Sequence, residues 1–378
     1  MKLGIPAETR PLETRVAATP ETVKKLTAGG FHSVQIQAGA GVRASIPDDQ
    51  YVAAGATIVA QAADIYRDAD IVLKVRAPDA NELAQMRAGQ ILIGLLQPHD
   101  TAGIAALAAR GLTAFAMEAL PRISRAQNMD VLSSQANIGG YKAVLMAANT
   151  YARMMPMLMT AAGTVKAARV IVMGVGVAGL QAIATAKRLG AVVEATDVRA
   201  ETKEQVESLG GKFIEVPLTD AERELAKGQG GYAREMGDDY RQRQAALVAE
   251  RIKQADIVIT TALIPGRPAP VLVTEDMVKS MKAGSVIVDM AVEQGGNCPL
   301  SDLNQIVIKH GVHIIGIANL PALVAADASA LYARNLINFL ALMLDPKTGE
   351  LKLALEDEIV AGTMVCTGGE VTKKSKSP

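Results

Sequence analysis

The sequence is poor in the residues that mark several common classes of protein. Its 378 residues include four histidines and two cysteines, Cys298 and Cys366, in no spacing that fits a disulfide framework or a zinc site. Aromatic residues make up 3%, and 39 lysines and arginines balance 39 aspartates and glutamates. No basic cluster is interleaved with aromatic side chains, as nucleic-acid binding would require. We therefore expect no metal site and no nucleic-acid partner.

Long uninterrupted apolar segments are also missing. The most membrane-like stretch, residues 143–165, is interrupted by Asn149, Arg153 and Pro156. It falls short of the roughly 18 consecutive apolar residues that a transmembrane helix needs. The first ten residues reach a proline and charges too early to form the apolar core of a signal peptide. The sequence therefore predicts a cytoplasmic chain that does not insert into a membrane by itself.

The most informative segment is a glycine motif between two apolar runs. Gly174, Gly176 and Gly179 follow the run 170–173 and open a helical stretch, and Asp197 lies 18 positions beyond the third glycine. In such a motif the first glycine allows a tight turn, the second lets the backbone approach a pyrophosphate, and the third lets helix and strand pack closely. The N–H groups at the helix N-terminus favour the phosphates. This segment therefore predicts a dinucleotide-binding site.

The acid at the end of the second run indicates which dinucleotide is bound. Asp197 would accept hydrogen bonds from an adenosine ribose and repel a 2′-phosphate, which favours NAD over NADP. Arg199 complicates this interpretation, because an arginine near this position can accommodate a 2′-phosphate. Since the carboxylate is retained, we predict NAD(H).

Apolar runs alternate with helical patterns along the whole chain, which predicts βα units and parallel sheets. The first series of runs lies at residues 3–6, 34–37, 71–75, 91–95 and 113–116. After a helical segment at about residues 137–159, a second series lies at residues 170–173, 192–196, 257–260, 286–290 and 313–316. Residues 322–344 have a helical pattern, and a short hairpin is predicted around residues 346–349.

We therefore predict an α/β fold with two Rossmann-like domains, each built on a parallel sheet. Residues 1–134 and 322–378 would form the N-terminal domain. Residues 135–321 would form the NAD-binding domain, inserted between the two segments of the other. Ligands commonly bind in a cleft between two such domains.

Two polar segments each allow a functional and a plain interpretation. Residues 121–135 combine two arginines, an acid, three hydroxyls and several amides. Facing a cleft, they would hold the carboxamide and ribose of a nicotinamide nucleotide; facing water, they would be an ordinary solvated loop. Residues 228–237 place glycines around Tyr232, which fits a lid and a flexible surface loop equally well.

Two further side chains are candidates for chemistry. Lys74 is a charged residue inside the otherwise apolar run 71–75, where it is either a surface group at a strand end or an active-site cation. His99 follows the run 91–95, at a position where catalytic residues are often found in α/β folds.

Several segments together resemble the NAD(H)-binding alpha subunits of proton-translocating NAD(P) transhydrogenases, a group similar to the alanine dehydrogenases. The resemblance covers nearly the whole chain. The segments that carry it are residues 122–134, 174–190, 197–199, 230–237, 261–266 and 291–299.

The resemblance implies roles for individual residues. Arg122, Gln127, Asp130 and Ser133 would reach the nicotinamide end of NAD(H), the first three of them as catalytic residues. Asp197 would take the adenosine ribose, and Tyr232 would lie on a mobile loop that closes over the nucleotide. The predicted cofactor-binding set is Arg122, Ile123, Ser124, Gln127, Leu132, Ser133, Ser134, Gly174, Val175, Gly176, Val177, Gly179, Asp197, Val198, Arg199, Gly231, Tyr232 and Leu263.

The resemblance also implies an activity and partners. Hydride would pass from NADH to NADP⁺ held on a partner, coupled to proton translocation across the membrane. The NADP-binding and membrane-spanning subunits would be other polypeptides. This chain would be a homodimer and a peripheral component at the cytoplasmic face of the inner membrane.

Two alternatives stay open. An alanine dehydrogenase would use a lysine and a histidine to hold a keto acid; Lys74 matches the lysine, but Gln97 stands at the place of the histidine, and Glu293 at that of a catalytic aspartate. Loss of an acid/base group would be serious for that reaction. His99 lies two residues away and keeps this alternative open. The second alternative is a non-catalytic NAD(H)-sensing subunit.

Overall fold

The structure of the protein is a computed structural model that describes residues 1–28, 32–199, 201–217, 219, 238–264, 266–345 and 347–372. The chain divides into two compact units. The first consists of Met1–Gln135 with Pro321–Pro378, and the second of Ala136–Leu320.

The described residues of the first unit form an eight-stranded sheet. Its strands are Lys2–Ile5 (β1), Ser33–Gln37 (β2), Thr57–Val59 (β3), Ile71–Arg76 (β4), Ile91–Leu95 (β5), Thr113–Ala116 (β6), Met364–Thr367 (β16) and Glu370–Val371 (β17). The strand order is β17-β16-β6-β5-β4-β1-β2-β3. Strands β1 to β6 are parallel and follow the 3-2-1-4-5-6 order of a Rossmann fold.

The described residues of the second unit form a seven-stranded sheet and a separate hairpin. Its strands are Leu158–Thr160 (β7), Gly163–Val165 (β8), Arg169–Met173 (β9), Val192–Thr196 (β10), Lys212–Phe213 (β11), Ile257–Thr260 (β12), Val286–Asp289 (β13), Ile306–Lys309 (β14) and Val312–Ile315 (β15). The large sheet has the order β11-β10-β9-β12-β13-β15-β14, and β7 pairs with β8. Its parallel strands again follow the order of a Rossmann fold.

The helices connect these strands. In the first unit they are Pro20–Thr27 (α1), Asp48–Ala53 (α2), Ala62–Asp68 (α3), Ala80–Gln85 (α4), Thr101–Ala109 (α5), Ala325–Leu340 (α11) and Glu358–Thr363 (α12). In the second unit they are Val177–Arg188 (α7), Thr202–Ser208 (α8), Asp238–Ile252 (α9) and Glu275–Ser280 (α10). Helix Val131–Thr150 (α6) begins in the first unit and continues into the second.

Each sheet has a hydrophobic core on both of its faces. In β9, Val170 and Val172 pack into one cluster, whereas Ile171 and Met173 pack into the other. A central parallel strand covered on both sides reads as a continuous apolar run, which is why the sequence pattern identified it. The predicted α/β fold with two Rossmann-like domains is confirmed. Among the described residues, no helix has the length and apolar character needed to cross a bilayer.

The sheets differ from the prediction in not being purely parallel. Strand β16 pairs antiparallel with β6 and β17 with β16, and in the second unit β14 pairs antiparallel with β15. The outermost of these strands, β14 and β17, lie at sheet edges, where one side needs no partner strand. Their short, exposed sequences lack the continuous apolar run that marks a central strand.

The predicted connecting helix is displaced. We expected it at about residues 137–159, whereas α6 spans Val131–Thr150. It begins earlier because the Asp130 carboxylate accepts hydrogen bonds from the backbone N–H and the hydroxyl of Ser133, at 2.9 and 2.6 Å. It ends before Pro156, which a helix interior disfavours. The apolar residues beyond it belong to the β7–β8 hairpin.

The two remaining predictions concern the end of the chain. The helical pattern at residues 322–344 corresponds to a 3₁₀ turn at Leu320–Val324 followed by α11. The hairpin predicted around residues 346–349 appears as a single antiparallel bridge between Leu344 and Leu351.

Candidate functional site

The glycine motif forms the turn between β9 and α7, where the strand order of the second sheet reverses direction. Gly174 has φ of +98°, a conformation that favours glycine. A Cβ at position 179 would lie 1.9 Å from the carbonyl oxygen of Gly174, so only glycine lets α7 come this close to the strand. A Cβ at Gly176 would meet no atom within 4 Å. The helix N-terminus therefore borders open space, and its N–H groups favour an anion there.

Asp197 follows β10 and braces this turn from the neighbouring strand. Its carboxylate accepts hydrogen bonds from the backbone N–H groups of Val175 and Arg199, at 2.7 and 2.9 Å. The Arg199 guanidinium donates to both carboxylate oxygens, at 2.9 and 3.0 Å. Burial alone would raise the pKa of Asp197, but the hydrogen bonds from Arg199 and Val175 hold that pKa below its ordinary value. Asp197 is therefore ionised at neutral pH.

These donors occupy the positions at which a carboxylate accepts hydrogen bonds. A ribose hydroxyl therefore reaches Asp197 only if the Arg199 side chain gives up a hydrogen bond. The Arg199 side chain is 37% exposed, against 7% for Asp197, so the guanidinium has room to move into solvent. The two residues that the sequence connected with cofactor choice are thus in direct contact.

Exposed apolar side chains follow three neighbouring strands at this edge of the sheet. Val177 comes after β9, Val198 after β10 and Leu263 after β12, and they are 39%, 62% and 47% exposed. The carboxyl ends of parallel strands meet at one edge of a sheet, which is where Rossmann folds bind ligands. These side chains offer a flat ring an apolar surface at the same edge as the glycine turn.

Two buried polar residues at this edge were missed in the sequence. Asp289 ends β13, and Asn297 lies in the loop that follows; both are 0% exposed. The Asn297 amide bonds to both backbone groups of Ala262, in the loop after β12. An acid that ends an apolar run and precedes Gly295 and Gly296 was the available signal.

In the first unit, the polar segment forms a 3₁₀ helix at Ser124–Met129, held by the buried side chains of Ala126 and Met129. Asp130 then caps α6 through Ser133. The Ser134 hydroxyl donates to Asn335 Oδ1 at 2.8 Å. Asp130, Ser133 and Ser134 therefore hold local structure in addition to any contact with a ligand.

The remaining predicted residues of this segment face solvent to different degrees. The side chains of Arg122, Ser124, Gln127 and Leu132 are exposed, and Ile123 is half-buried. Neither the guanidinium of Arg122 nor the amide of Gln127 forms a hydrogen bond with any described residue. Both groups are therefore available to a ligand as hydrogen-bonding groups.

Lys74 is not a surface group at a strand end, which was one of the two interpretations that the sequence left open. Its side chain is 0% exposed, and Nζ lies 2.7 Å from Glu82 Oε1 and 3.4 Å from Glu8 Oε2. The Tyr66 hydroxyl donates to the same Glu82 oxygen at 3.0 Å. Lys74 is a buried, paired cation, because its position on β4 turns its side chain toward Glu82 on α4. His99 is exposed after β5.

Two predicted residues, Gly231 and Tyr232, lie outside the described residues. In the portion of the chain that the structure describes, no three His, Cys, Asp or Glu side chains come together as a metal site would require. The predicted residues thus form two groups. Those of the second unit gather at the carboxyl edge of its sheet, and those of the first unit gather at the start of α6.

The fold and the glycine turn define the class of this protein as a Rossmann-type α/β protein with a nucleotide-binding turn. Comparisons with known proteins narrow the class to a family. Residues 4–139 match the N-terminal domain, and residues 143–374 the C-terminal domain, of the family described as alanine dehydrogenase/PNT. The chain belongs to this family of oxidoreductases.

Within the family, three proteins give the most useful comparisons. The chain is 56% identical to the protein of Rhodospirillum rubrum named as the first segment of the NAD(P) transhydrogenase alpha subunit, over 98% of this chain and 97% of that one. A solved structure of transhydrogenase from Sinorhizobium meliloti superimposes with a TM-score of 0.89 at 52% identity, covering 98% of this chain and all of that one. Alanine dehydrogenase of Bacillus subtilis is 30% identical over 98% and 93% of the two chains. The resemblance to transhydrogenase alpha subunits is confirmed.

The burial of Lys74 leads to a prediction for stability. Lys74→Met removes the cation and leaves the carboxylates of Glu8 and Glu82 buried without it, so the free energy of unfolding should fall by about 3–5 kcal/mol at pH 7. Lys25→Met is the control, because Lys25 pairs with Glu21 on an exposed helix face and should cost at most about 1 kcal/mol. Chemical denaturation measures both. Equal losses of unfolding free energy in the two variants would show that the buried Lys74 contacts stabilise the fold no more than an exposed ion pair does.

Proposed function

We propose that this chain is the NAD(H)-binding subunit of a proton-translocating transhydrogenase. It would bind NADH in the second unit and transfer hydride to NADP⁺ held by a partner subunit. The observation that carries the proposal is the Gly174 turn braced by the ionised Asp197, in a chain whose 56%-identical relative is named a transhydrogenase subunit. The open backbone at Gly176 suits a pyrophosphate, and Asp197 suits a ribose without a 2′-phosphate.

The nicotinamide end of NADH would be held by residues of the first unit. Arg122 and Gln127 have exposed side chains that are free to bond with a carboxamide, and Ser133 adds a hydroxyl. Asp130 orients Ser133 by accepting its hydroxyl hydrogen bond at 2.6 Å. These residues would fix the plane of the ring so that its C4 atom faces the acceptor.

The reaction asks little acid/base chemistry of this chain. A hydride moves from C4 of NADH to C4 of NADP⁺, giving NAD⁺ and NADPH, with no accompanying proton at the site. The protein must position the rings and exclude water. Exposed Gln97 stands where an alanine dehydrogenase would have its histidine, and the ammonium of Lys74 already has two carboxylates beside it. Both observations favour hydride transfer between nucleotides over oxidative deamination.

The partners follow from the same proposal. A relative whose name describes one segment of a divided alpha subunit implies further polypeptides. The NADP-binding and membrane-spanning subunits would supply the second nucleotide and the proton pathway. We place this chain at the cytoplasmic face of the inner membrane, as a peripheral component that binds those subunits.

We also propose that the chain is a homodimer that uses the β7–β8 hairpin. Met157, Leu158 and Met159 expose 61%, 39% and 71% of their surface on this hairpin and the residue before it. Contiguous exposed apolar side chains mark protein interfaces more often than plain surface. Among the described strands β7 and β8 pair only with each other, so their outer edges offer hydrogen-bonding groups that a second copy would satisfy.

The hairpin proposal predicts a change in assembly. Met159→Asp should raise the dissociation constant of the dimer by about tenfold or more, because a carboxylate in an apolar interface loses its hydration. Leu303→Asp is the control, since Leu303 is 52% exposed elsewhere in the second unit. Sedimentation velocity over a range of concentrations measures the dimer. An unchanged dimer in the Met159 variant would place the interface elsewhere.

Hydride transfer itself is tested with the purified chain and an isolated NADP-binding partner. We expect rapid transfer from NADH to NADP⁺ only when the partner is present, and no turnover of NADH with pyruvate and ammonium. Gln127→Asn should slow transfer while NADH affinity stays nearly unchanged, because the shorter amide misplaces the ring; Asn128→Gln, at an exposed neighbour, is the control. Turnover of pyruvate by the chain alone would make it an alanine dehydrogenase, and tight NADH binding without any transfer would make it a sensor.

Cofactor choice is tested at Asp197. Asp197→Ala should weaken NADH binding about 10- to 100-fold, the loss of hydrogen bonds to a charged acceptor, and should reduce the discrimination against NADPH. Arg199→Ala is the matched variant, because it keeps the carboxylate and removes its competitor, and should bind NADH at least as well as the native chain. Fluorescence titration with both nucleotides measures these effects. Unaltered selectivity in the Asp197 variant would assign that role to Arg199 or another group.

A further inference from the structure

Three loops at the carboxyl edge of the second sheet are joined by hydrogen bonds in which two buried polar side chains are central. The loops follow β9, β12 and β13, and the side chains are those of Asp289 and Asn297. Neither residue belongs to the predicted set, and neither is exposed. Burying a carboxylate and a primary amide is costly unless every polar atom is satisfied, so each of these atoms needs a partner within the loops.

The Asp289 carboxylate organises the loop after β13. One oxygen accepts hydrogen bonds from the backbone N–H groups of Ala291 and Asn297, at 3.0 and 3.1 Å. The other accepts from the backbone N–H of Cys298 at 3.0 Å and from the Ser301 hydroxyl at 2.8 Å. No basic side chain among the described residues forms an ion pair with it. The hydroxyl of Thr260, at the end of β12, lies 3.5 Å from the first oxygen, so the carboxylate is held by neutral donors, most of them in the loop after β13, and these fix the backbone of Asn297.

The Asn297 side chain in turn holds the loop after β12. Its Oδ1 atom accepts a hydrogen bond from the N–H of Ala262 at 3.1 Å, and its Nδ2 atom donates to the carbonyl of Ala262 at 2.9 Å. The second proton of Nδ2 goes to the carbonyl of Pro270 at 2.8 Å. The amide thus pairs with one residue in the manner of a neighbouring strand, and no hydrogen-bonding proton is left unused.

We call the three hydrogen bonds of the Asn297 amide the Asn297 clamp. The loop that it holds contacts the glycine turn directly. The Thr261 hydroxyl donates to the carbonyl of Gly174 at 3.0 Å. A Cβ at position 174 would lie 2.6 Å from that hydroxyl oxygen, so there is no room for a side chain between the loop and the turn. A continuous chain of bonds therefore runs from Asp289 through Asn297 and the loop after β12 to the turn that opens α7.

We propose that Asp289 and Asn297 are positioning residues of the nucleotide site. They act through Ala262 and Thr261 to set the glycine turn and to place exposed Leu263 against the adenosine half of the bound nucleotide. This inference rests on the proposed function. It adds the residues that hold the glycine turn and Leu263 in position for the adenosine half of the nucleotide.

An amide is the only side chain of this size that meets the arrangement at Asn297. It presents an acceptor to an N–H group and donors to two carbonyl groups at once. A carboxylate would set an oxygen against the carbonyls of Ala262 and Pro270. A protonated carboxyl group would instead donate to one of them and restore most of the pairing. Asn297→Asp therefore turns the clamp into one that depends on pH.

The sign of this dependence follows from the surroundings. Burial, the two carbonyl oxygens and the nearby Asp289 carboxylate all disfavour ionisation of the introduced group, so its pKa lies above the ordinary value of about 3.9. The clamp is then intact below that raised pKa and is lost as the pH rises through it.

The probe is ADP-ribose, which consists of adenosine, the pyrophosphate and the second ribose. It lacks the nicotinamide and is stable in acid. Calorimetric titration of the full chain should show that Asn297→Asp weakens ADP-ribose binding about tenfold at pH 8 and returns to within about threefold of the native chain at pH 5.5. Asn149→Asp adds the same charge at an exposed position of the second unit and should match the native chain at both pH values.

The outcomes separate this inference from the function on which it rests. Native affinity of Asn297→Asp at pH 8, or an equal weakening at both pH values, overturns the positioning role. A native chain that fails to bind ADP-ribose overturns the proposed function itself. Where thermal unfolding shows that Asn297→Asp is not folded at pH 8, Ser301→Ala decides, because it removes one donor to Asp289. It should weaken binding about two- to fivefold, and an unchanged affinity would overturn the inference.

Discussion

The second unit depends on a close approach between two pieces of backbone, the carbonyl of Gly174 and the Cα of Gly179. No side chain fits between them, so the first turn of α7 packs directly against the end of β9. This contact places the N-terminus of α7 at the carboxyl end of β9. The bracing carboxylate of Asp197, the loop after β12 and the apolar side chains at the edge are all arranged around it. A nucleotide site here needs very few side chains of its own because the backbone supplies the anion-binding groups.

Two carboxylates at this edge of the sheet have similar surroundings but different exposure to solvent. Asp197 and Asp289 each lie at the end of a parallel strand, and each accepts backbone N–H groups from the loop that follows. Asp197 also holds a partly exposed arginine, which can exchange with a ligand. Asp289 is buried and is held by neutral donors, four of them in the loop that follows it. One carboxylate is therefore open to ligand exchange, whereas the other is structural, although in sequence both are simply acids after apolar runs.

That ambiguity explains how far the sequence alone could go. Four central strands, at 91–95, 113–116, 192–196 and 257–260, have the predicted bounds, because a strand covered on both faces is made mostly of apolar residues. The edge strands and the β7–β8 hairpin were missed, since partly exposed strands of two to four residues carry no such pattern. Asp197 lies 18 to 23 residues after the glycines of the turn, within one βαβ unit, so their spacing in the sequence was enough to predict both.

Residues that meet only through the fold were beyond the sequence. Lys74 was noticed as an oddity, but its partner Glu8 lies 66 positions away, and no pattern connects the two. The same holds for Asn297 and Ala262, which are 35 positions apart. In both cases the pairing depends on which face of a strand a residue occupies and on which loop passes opposite it. These are properties of packing rather than of neighbouring sequence.

The antiparallel edge of the first sheet affects the order in which the two units can fold during synthesis. Strands β16 and β17 complete a sheet whose other six strands all lie within the first 116 residues. The second unit, by contrast, is contiguous in sequence. During synthesis it can therefore close its core while the first sheet still exposes the free side of β6. An exposed strand edge in an apolar sheet attracts non-native pairing. Residues 364–371, which are synthesised after the whole second unit, thus decide whether the free side of β6 is protected, and their deletion would act on the first sheet.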